Sequence, residues 1–358
     1  MNDPVIINGP VTTTKSGGNS AAANTPARID PSTMTDSSAT PNTSDVTNAS
    51  TVTNDSGTSN RNMSNFAAGE AGDYVITTDS GCDLSVETLS EWGVPCAELT
   101  FRNTKNNRVF RNREAVLSDF YAEMRSGAVF QTSGVNPADC RELFESQLRK
   151  GKNVLHIGMS SGISVSSVSA ELAAKELAEQ ENTNRIAVVD SLCACGGEGL
   201  LVYLAVRKKR EGADFQSLVA YLKETAPKLC HWFTVDDLTY LKRGGRVKAA
   251  AAFAATVLDL KPVLHVDDGG RLAPTGKVRG RRQAIKALAE KYTLLAEEPE
   301  RGAYFISHGD CLEDAALLES LILRNSGNRA ACITEIGPVI GSHSGPGTLA
   351  LFFIGKER

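Results

Sequence analysis

Residues 154–178, VLHIGMSSGISVSSVSAELAAKELA, constrain the fold more than any other stretch, because they have the pattern of one strand, one turn and one helix. An apolar run at 154–157 precedes a Gly- and Ser-rich turn at 158–162, and apolar residues at helical spacing follow. Such units build parallel α/β sheets, and the first turn of the helix offers unpaired backbone N–H groups to an anion. The turn lacks the lysine of a P-loop, so the sequence favours a carboxylate ligand or a serine nucleophile over a nucleotide triphosphate.

Polar pairs end three of the predicted apolar strands. Asp79-Ser80 follows the strand 74–77, Ser160-Ser161 follows 154–157, and Asp190-Ser191 ends the strand 185–191. In open α/β sheets the ligand crevice lies outside the carboxyl ends of the strands. We therefore expect these polar residues to converge on one site.

The chain is predicted to be an α/β protein with two domains and a disordered tail. The first 60 residues contain 29 Ser, Thr or Asn and no aromatic residue, so they cannot bury enough apolar surface to offset the entropy of ordering. We assign 1–71 to the disordered tail, 72–227 to a first α/β domain with a Rossmann-like parallel sheet, and 228–358 to a second α/β domain. The second domain is expected to contain an Ala-rich helix after Val247 and a glycine-rich loop, GPVIGSHSGPG, at 337–347.

Charge and composition exclude several classes of protein. Beyond the first 60 residues, 36 Lys and Arg are balanced by 37 Asp and Glu. This near-neutral charge lacks the excess of basic residues that is typical of nucleic-acid-binding proteins. No apolar run is long enough to span a membrane, and the amino terminus lacks the features of a signal peptide. The eight cysteines show neither C-x-x-C nor metal-ligand spacing, so we expect structural, reduced thiols in a cytoplasmic protein without a metal.

The turn at 158–162 also fits G-x-S-x-G, the nucleophile elbow of α/β-hydrolases, with Ser160 as the nucleophile. A later His308 or His343 would suit the chain order of a triad, but no HGGG-type oxyanion segment lies upstream. Alternatively, the serines only cap the helix. Thr132-Ser133 is a second hydroxyl pair, which caps a helix or contributes donors to the same crevice. Neutral hydroxyls and helix N–H groups hold a carboxylate when they are buried.

Seven segments, in order, resemble motifs of the DegV family, the bacterial fatty-acid-binding proteins. The segments are TDSGCDL, QTSGVNP, MSSGISVSSVSA, VVDSLCACGGEG, VDDLTYLKRGGRV, LKPVLHVDDGGRL and IGPVIGSHSGPGTLAL. The resemblance runs from about residue 74 to the end of the chain.

This resemblance implies a two-domain α/β fold that buries one long-chain fatty acid between its domains. It implies that residues matching Thr132, Ser161 and His343 hold the carboxylate, and we assign Ser133, Ser160 and Gly162 to the supporting head-group loop. It also implies a non-enzymatic carrier without a cofactor, which presents the carboxylate to a separate fatty-acid kinase for phospholipid synthesis. Two other classes stay open: a serine hydrolase that uses Ser160, and a regulatory module that senses lipid through a basic second domain.

Overall fold

The computed structural model describes residues 6–7, 73–181, 185–247 and 259–358. Its strands are β1 (Ile6–Ile7), β2 (Tyr74–Asp79), β3 (Cys96–Ala97), β4 (Thr100–Asn103), β5 (Val109–Arg111), β6 (Phe130–Ser133), β7 (Asn153–Gly158), β8 (Ile186–Asp190), β9 (Leu229–Thr234), β10 (Leu260–Val266), β11 (Leu272–Arg279), β12 (Tyr304–His308), β13 (Cys332–Glu335) and β14 (Leu349–Ile354). Its α-helices are α1 (Val86–Glu91), α2 (Leu117–Arg125), α3 (Pro137–Leu148), α4 (Ser166–Glu181), α5 (Gly196–Arg210), α6 (Phe215–Thr225), α7 (Leu238–Gly244), α8 (Arg281–Leu295), α9 (Leu312–Ser326) and α10 (Pro338–Ser344).

The first sheet, here called the parallel sheet, has the strand order β3-β2-β7-β8. Its neighbouring strands all run parallel, with Thr77 opposite His156 and His156 opposite Val188. The strands β2 and β7 are almost entirely buried, as expected when helices cover both faces of a parallel sheet. The predicted Rossmann-like sheet is confirmed.

A small antiparallel sheet of order β5-β4-β6 extends this region. The strand-like segments at 95–101 and 108–110 flank a polar run at 103–107, a pattern that predicts a hairpin, and β4–β5 forms one there. Phe101 of β4 pairs with Thr132 of β6. Phe101 also packs edge-on against Phe120 and Phe130, with ring centroids 5.7 and 5.8 Å apart. These aromatic contacts fix the strand that carries Thr132.

The second sheet, here called the mixed sheet, has seven strands in the order β1-β13-β12-β14-β9-β10-β11. Its outer strands β1, β13 and β12 run parallel, and the remaining pairs run antiparallel. The second α/β unit is thus confirmed, whereas the boundary at 227/228 stays a prediction.

Helix α5 lies between the parallel and mixed sheets and contacts strands of both. Glycines at its start permit this approach: a Cβ at Gly196 would lie 3.2 Å from the Phe352 ring, and one at Gly199 would lie 2.7 Å from the Cys82 carbonyl oxygen. One buried apolar cluster consequently runs through both sheets.

The predicted loop at 337–347 is wrong in one respect, because Pro338–Ser344 form helix α10. The helix has proline at its first position but is short and glycine-containing, so its own propensity is weak. Its cap comes from two side chains that are distant in the sequence, Asp83 and Asn112. The predicted disordered tail, apart from Ile6–Ile7, and the predicted Ala-rich helix fall outside the described residues.

Candidate functional site

Two connected pockets lie where the serine turn, β6 and α10 meet. The outer pocket has a volume of about 890 Å³, and the inner pocket has a volume of about 80 Å³. Both are lined by Thr132, Gly134, Ile163, Ser164, Arg246 and Leu272. The outer pocket is rich in polar groups, whereas the inner one is walled mainly by apolar side chains such as Phe233 and Val339.

Thr132 and His343 form the polar pair at the junction of the two pockets. Thr132 Oγ1 and His343 Nε2 are hydrogen-bonded at 2.7 Å, although 211 residues separate them in the chain. Burial, followed by the nearby positive charge of Arg246, lowers the pKa of His343 to about 4. The imidazole is therefore neutral at pH 7, with one N–H to donate.

The parallel-sheet region holds the first turn of α10, the helix that carries His343. Asp83 Oδ1 accepts a hydrogen bond from the Gly337 N–H at 3.0 Å, and Asn112 Oδ1 accepts one from the Val339 N–H at 2.8 Å. Tyr121 donates its hydroxyl to the Ile336 carbonyl at 2.7 Å. The bonds to Asp83 and Asn112 satisfy N–H groups that a helix start leaves unpaired, so they replace a local cap.

The serines of the 158–162 turn have different surroundings. Ser160 is fully buried, and its hydroxyl donates to the Gly270 carbonyl at 2.8 Å and accepts from the Gly162 N–H at 3.1 Å. It has no histidine partner in the described part of the chain, so the geometry of a nucleophile is absent there. Ser161 is exposed and lines the outer pocket, and its N–H donates to Asp190 Oδ2 at 3.1 Å.

The other members of the predicted head-group loop also border the outer pocket. Ser133 is exposed on β6, beside Thr132. Gly162 lies against the backbone of the mixed-sheet region, where an added Cβ would be 2.5 Å from the Gly269 carbonyl oxygen. The structure thus brings Thr132 and His343 into direct contact, and it lines one wider pocket with Thr132, Ser133, Ser161 and Gly162.

The polar strand ends converge as predicted, but they bind the protein's own backbone. Asp79 Oδ2 accepts from the Met159 N–H at 3.0 Å, and Ser80 Oγ accepts from the Leu99 N–H at 2.9 Å. Ser191 Oγ donates to the Cys193 carbonyl at 3.2 Å. They shape the serine turn and its neighbours instead of facing a ligand.

Sequence reasoning missed two residues of the site, Ser164 and Arg246. Ser164 Oγ accepts from the Ser166 N–H at 3.2 Å at the start of α4, and it lines both pockets. Arg246 follows the Gly244-Gly245 turn and donates to the Gly244 carbonyl at 2.6 Å. Arg246 is one of the basic residues of the second domain, but only the fold brings this cation to the pockets.

Three buried carboxyl groups lie behind the turn. Burial raises the pKa of Asp79 to about 6 and that of Asp83 to about 8, and it raises the pKa of Glu198 well above its ordinary value. Thr78 donates its hydroxyl to Glu198 at 2.8 Å.

The described residues contain no cluster of three or more His, Cys, Asp or Glu side chains suited to a metal ion. Within the described part of the chain, no helix is both long enough and apolar enough to cross a bilayer.

Comparison with known proteins matches residues 73–356 to the family described as "Uncharacterised protein, DegV family". A DegV domain-containing protein of Clostridium perfringens is 37% identical over 287 residues, which are 80% of this chain and 98% of that protein. A solved DegV family structure from Thermus thermophilus, described as showing fatty acid binding, is 29% identical with a TM-score of 0.72, and the match covers 79% of this chain and 99% of that one. DegV from Bacillus subtilis, described as a fatty acid binding protein, is 26% identical with a TM-score of 0.66, covering 80% of this chain and all of that one.

Proposed function

Because this chain belongs to the DegV family, we propose that it binds one long-chain fatty acid, with the carboxylate at Thr132 and His343 and the acyl chain in the inner pocket. The observation that carries this proposal is the hydrogen-bonded pair at the junction of a polar outer pocket and an apolar inner one. An amphiphile with a single polar end fits that arrangement.

The chemistry of the pair suits a carboxylate. When the carboxylate binds, the neutral imidazole N–H and the threonine O–H exchange the hydrogen bond between them for bonds to its anionic oxygens, and hydrogen bonds to charged acceptors are the stronger ones. Arg246, which lines both pockets, adds a positive charge near this pair. In this proposal Ser161, being exposed, contacts the carboxylate from the outer pocket, and Ser133, Ser160 and Gly162 support the loop.

The acyl chain supplies most of the binding free energy. Burial of one CH₂ contributes about 0.8 kcal/mol, so a chain of about 16 carbons gains on the order of 10 kcal/mol before ordering costs. The inner pocket of about 80 Å³ is smaller than the roughly 300–1,000 Å³ of most small-molecule sites, so we expect its lining side chains to separate when the chain enters.

We further propose that the protein is a carrier in the cytoplasm, not an enzyme, and that it presents the bound carboxylate to a fatty-acid kinase for phospholipid synthesis. The absence of a Walker or kinase motif from the sequence agrees with a separate catalytic partner. Incubation of the loaded protein with a bacterial fatty-acid kinase and ATP should yield acyl-phosphate. A kinase that turns over free fatty acid equally well without this protein would contradict the presentation step.

Mass spectrometry of lipid extracted from the purified protein tests the binding step. We expect one fatty acid per chain, and a higher melting temperature when fatty acid is added to delipidated protein. Thr132→Val should weaken binding about 5- to 150-fold, since an unmade bond to a buried charged group costs roughly 1–3 kcal/mol.

Thr104→Val is the matched control, because the Thr104 hydroxyl donates to the Val129 carbonyl at 2.9 Å and lines neither pocket. Absence of extracted fatty acid, together with an unchanged melting temperature on its addition, would refute the proposal.

A further inference from the structure

One polar side chain interrupts the apolar wall of the inner pocket. In the buried strand β9, alternation directs Leu229, His231 and Phe233 to the same face, and His231 and Phe233 both line the pocket. His231 is only 5% exposed. The sequence thus puts an imidazole at a position where the pattern of the strand calls for an apolar residue.

No hydrogen bond accounts for the polar ring of His231. Its flanking groups are the rings of Phe233 and Phe352, with centroids 5.3 and 4.5 Å away. Its Nδ1 is enclosed and has no hydrogen-bond partner among the residues that the structure describes.

The other buried histidines differ in this respect. His156 Nδ1 is hydrogen-bonded to Thr77 Oγ1 at 3.0 Å, and His308 Nδ1 accepts from the Cys311 N–H at 3.3 Å. His343 is bonded to Thr132. His308 Nε2 and His343 Nδ1 also lack partners in the described chain, but each of those rings keeps one hydrogen bond, whereas none is seen for the ring of His231.

Burial, followed by the charge of Arg358, lowers the pKa of His231 to about 3, so the ring is neutral. A neutral imidazole has one N–H donor and one nitrogen acceptor, and leaving the enclosed Nδ1 of His231 unpaired in an apolar environment is unfavourable. Ser344 adds a second such group to the same pocket, because its buried hydroxyl also lacks a partner in the described part of the chain.

We infer that the inner pocket is matched to a fatty acid that carries a hydroxyl group on its chain, with His231 as the hydrogen-bond partner of that hydroxyl. A hydroxyl both donates and accepts, so it satisfies either tautomer of the imidazole. This inference rests on the proposed fatty-acid binding and specifies its ligand class. A site built to hydrogen-bond a ligand hydroxyl rejects the analogue that lacks it, because the analogue leaves the buried group unpaired.

The test compares stearic acid with a series of monohydroxystearic acids that differ in the position of the hydroxyl, by calorimetric titration of delipidated protein. We expect at least one isomer to bind about 10-fold more tightly than stearic acid, as one good hydrogen bond allows. His231→Leu should reduce that preference to within about twofold, because leucine offers the ligand hydroxyl no hydrogen-bond partner.

His265→Leu serves as the control, since His265 stacks on Trp232, lines neither pocket and should leave the preference unchanged. His231→Phe is a second variant should the leucine variant fail to fold.

The outcomes separate this inference from the function on which it rests. Binding of stearic acid with equal or weaker binding of every hydroxy isomer overturns the inference and leaves fatty-acid binding intact. A preference that survives in His231→Leu or His231→Phe overturns the role of His231. Failure of the wild-type protein to bind any of these acids overturns both.

Discussion

Replacing Gly244 by alanine is expected to weaken fatty-acid binding more than it destabilises the fold. Gly244 is the last residue of α7, and a Cβ there would lie 3.1 Å from His343 Cγ, 3.3 Å from its Cβ and closer still to Nδ1. Carbon atoms pack comfortably at about 3.5–4.0 Å, so the imidazole must retreat by about 1 Å. The Thr132–His343 bond of 2.7 Å does not survive such a displacement, because hydrogen bonds weaken beyond about 3.2 Å.

The two consequences of the substitution differ in size. Alanine gains up to about 1 kcal/mol over glycine in a helix, and turning one ring away from its preferred rotamer costs about 0.5–1.5 kcal/mol. Loss of the Thr132–His343 bond costs about 0.5–1.5 kcal/mol more, so the free energy of unfolding should fall by no more than about 2 kcal/mol. Displacing a donor from the carboxylate costs roughly 1–3 kcal/mol of binding, which is about 5- to 150-fold in the dissociation constant.

Displacement of a fluorescent fatty acid measures the affinity, and thermal denaturation measures the stability. Gly276→Ala is the matched control, because a Cβ at Gly276 would meet no atom within 4 Å, and its affinity should equal that of the wild type. Wild-type affinity of Gly244→Ala, despite a shifted His343 ring resonance in the NMR spectrum, would refute the assignment of His343 to the head-group site.

Three further substitutions follow from the same contacts. Ser161→Ala should weaken fatty-acid binding less than Thr132→Val in titrations, because Ser161 is exposed; an equal or larger loss would move the carboxylate to the outer pocket. Ser160→Ala should lower the free energy of unfolding by about 1–3 kcal/mol, because it leaves the carbonyl partner of Ser160 unpaired. Neither this variant nor the wild type should react with a fluorophosphonate. Labelling of the wild type that disappears in the variant would support the serine hydrolase instead. Burial raises the pKa of Asp83 to about 8, so the contribution of this carboxyl to stability is lost as pH rises from about 4 to about 8. Asp83→Asn keeps the oxygen acceptor for the helix and should flatten that part of the profile of melting temperature against pH. Parallel profiles for the wild type and the variant would show that the carboxyl is ionised without penalty.

Local patterns were sufficient to predict the framework. The apolar run, serine turn and helical spacing at 154–178 determine strand β7 and helix α4, since each segment's preference agrees with the fold around it. The hairpin β4–β5 and the convergence of Asp79 with the serine turn were predictable for the same reason.

Features that depend on distant partners could not be predicted. Helix α10 was expected to be a loop, because the groups that cap it, on Asp83 and Asn112, lie more than 220 residues earlier in the chain. Arg246 had no local signal beyond the Gly-Gly turn before it. The exposure of Ser161 and the burial of Ser160 follow from the approach of Gly270, which the sequence of the turn does not encode.

Helix α10 is tied to the parallel-sheet region at both ends, by Asp83 and Asn112 at its first turn and by Thr132 at its last. Moving the two sheets apart breaks these bonds together, so opening the interface and dismantling the carboxylate site are one cooperative event. A ligand held by Thr132 and His343 then acts as a reversible cross-link between the two sheets. At about 100 times its dissociation constant it adds about 2.7 kcal/mol to the unfolding free energy of both sheets jointly. We accordingly expect a single melting transition that shifts as a whole on lipid binding.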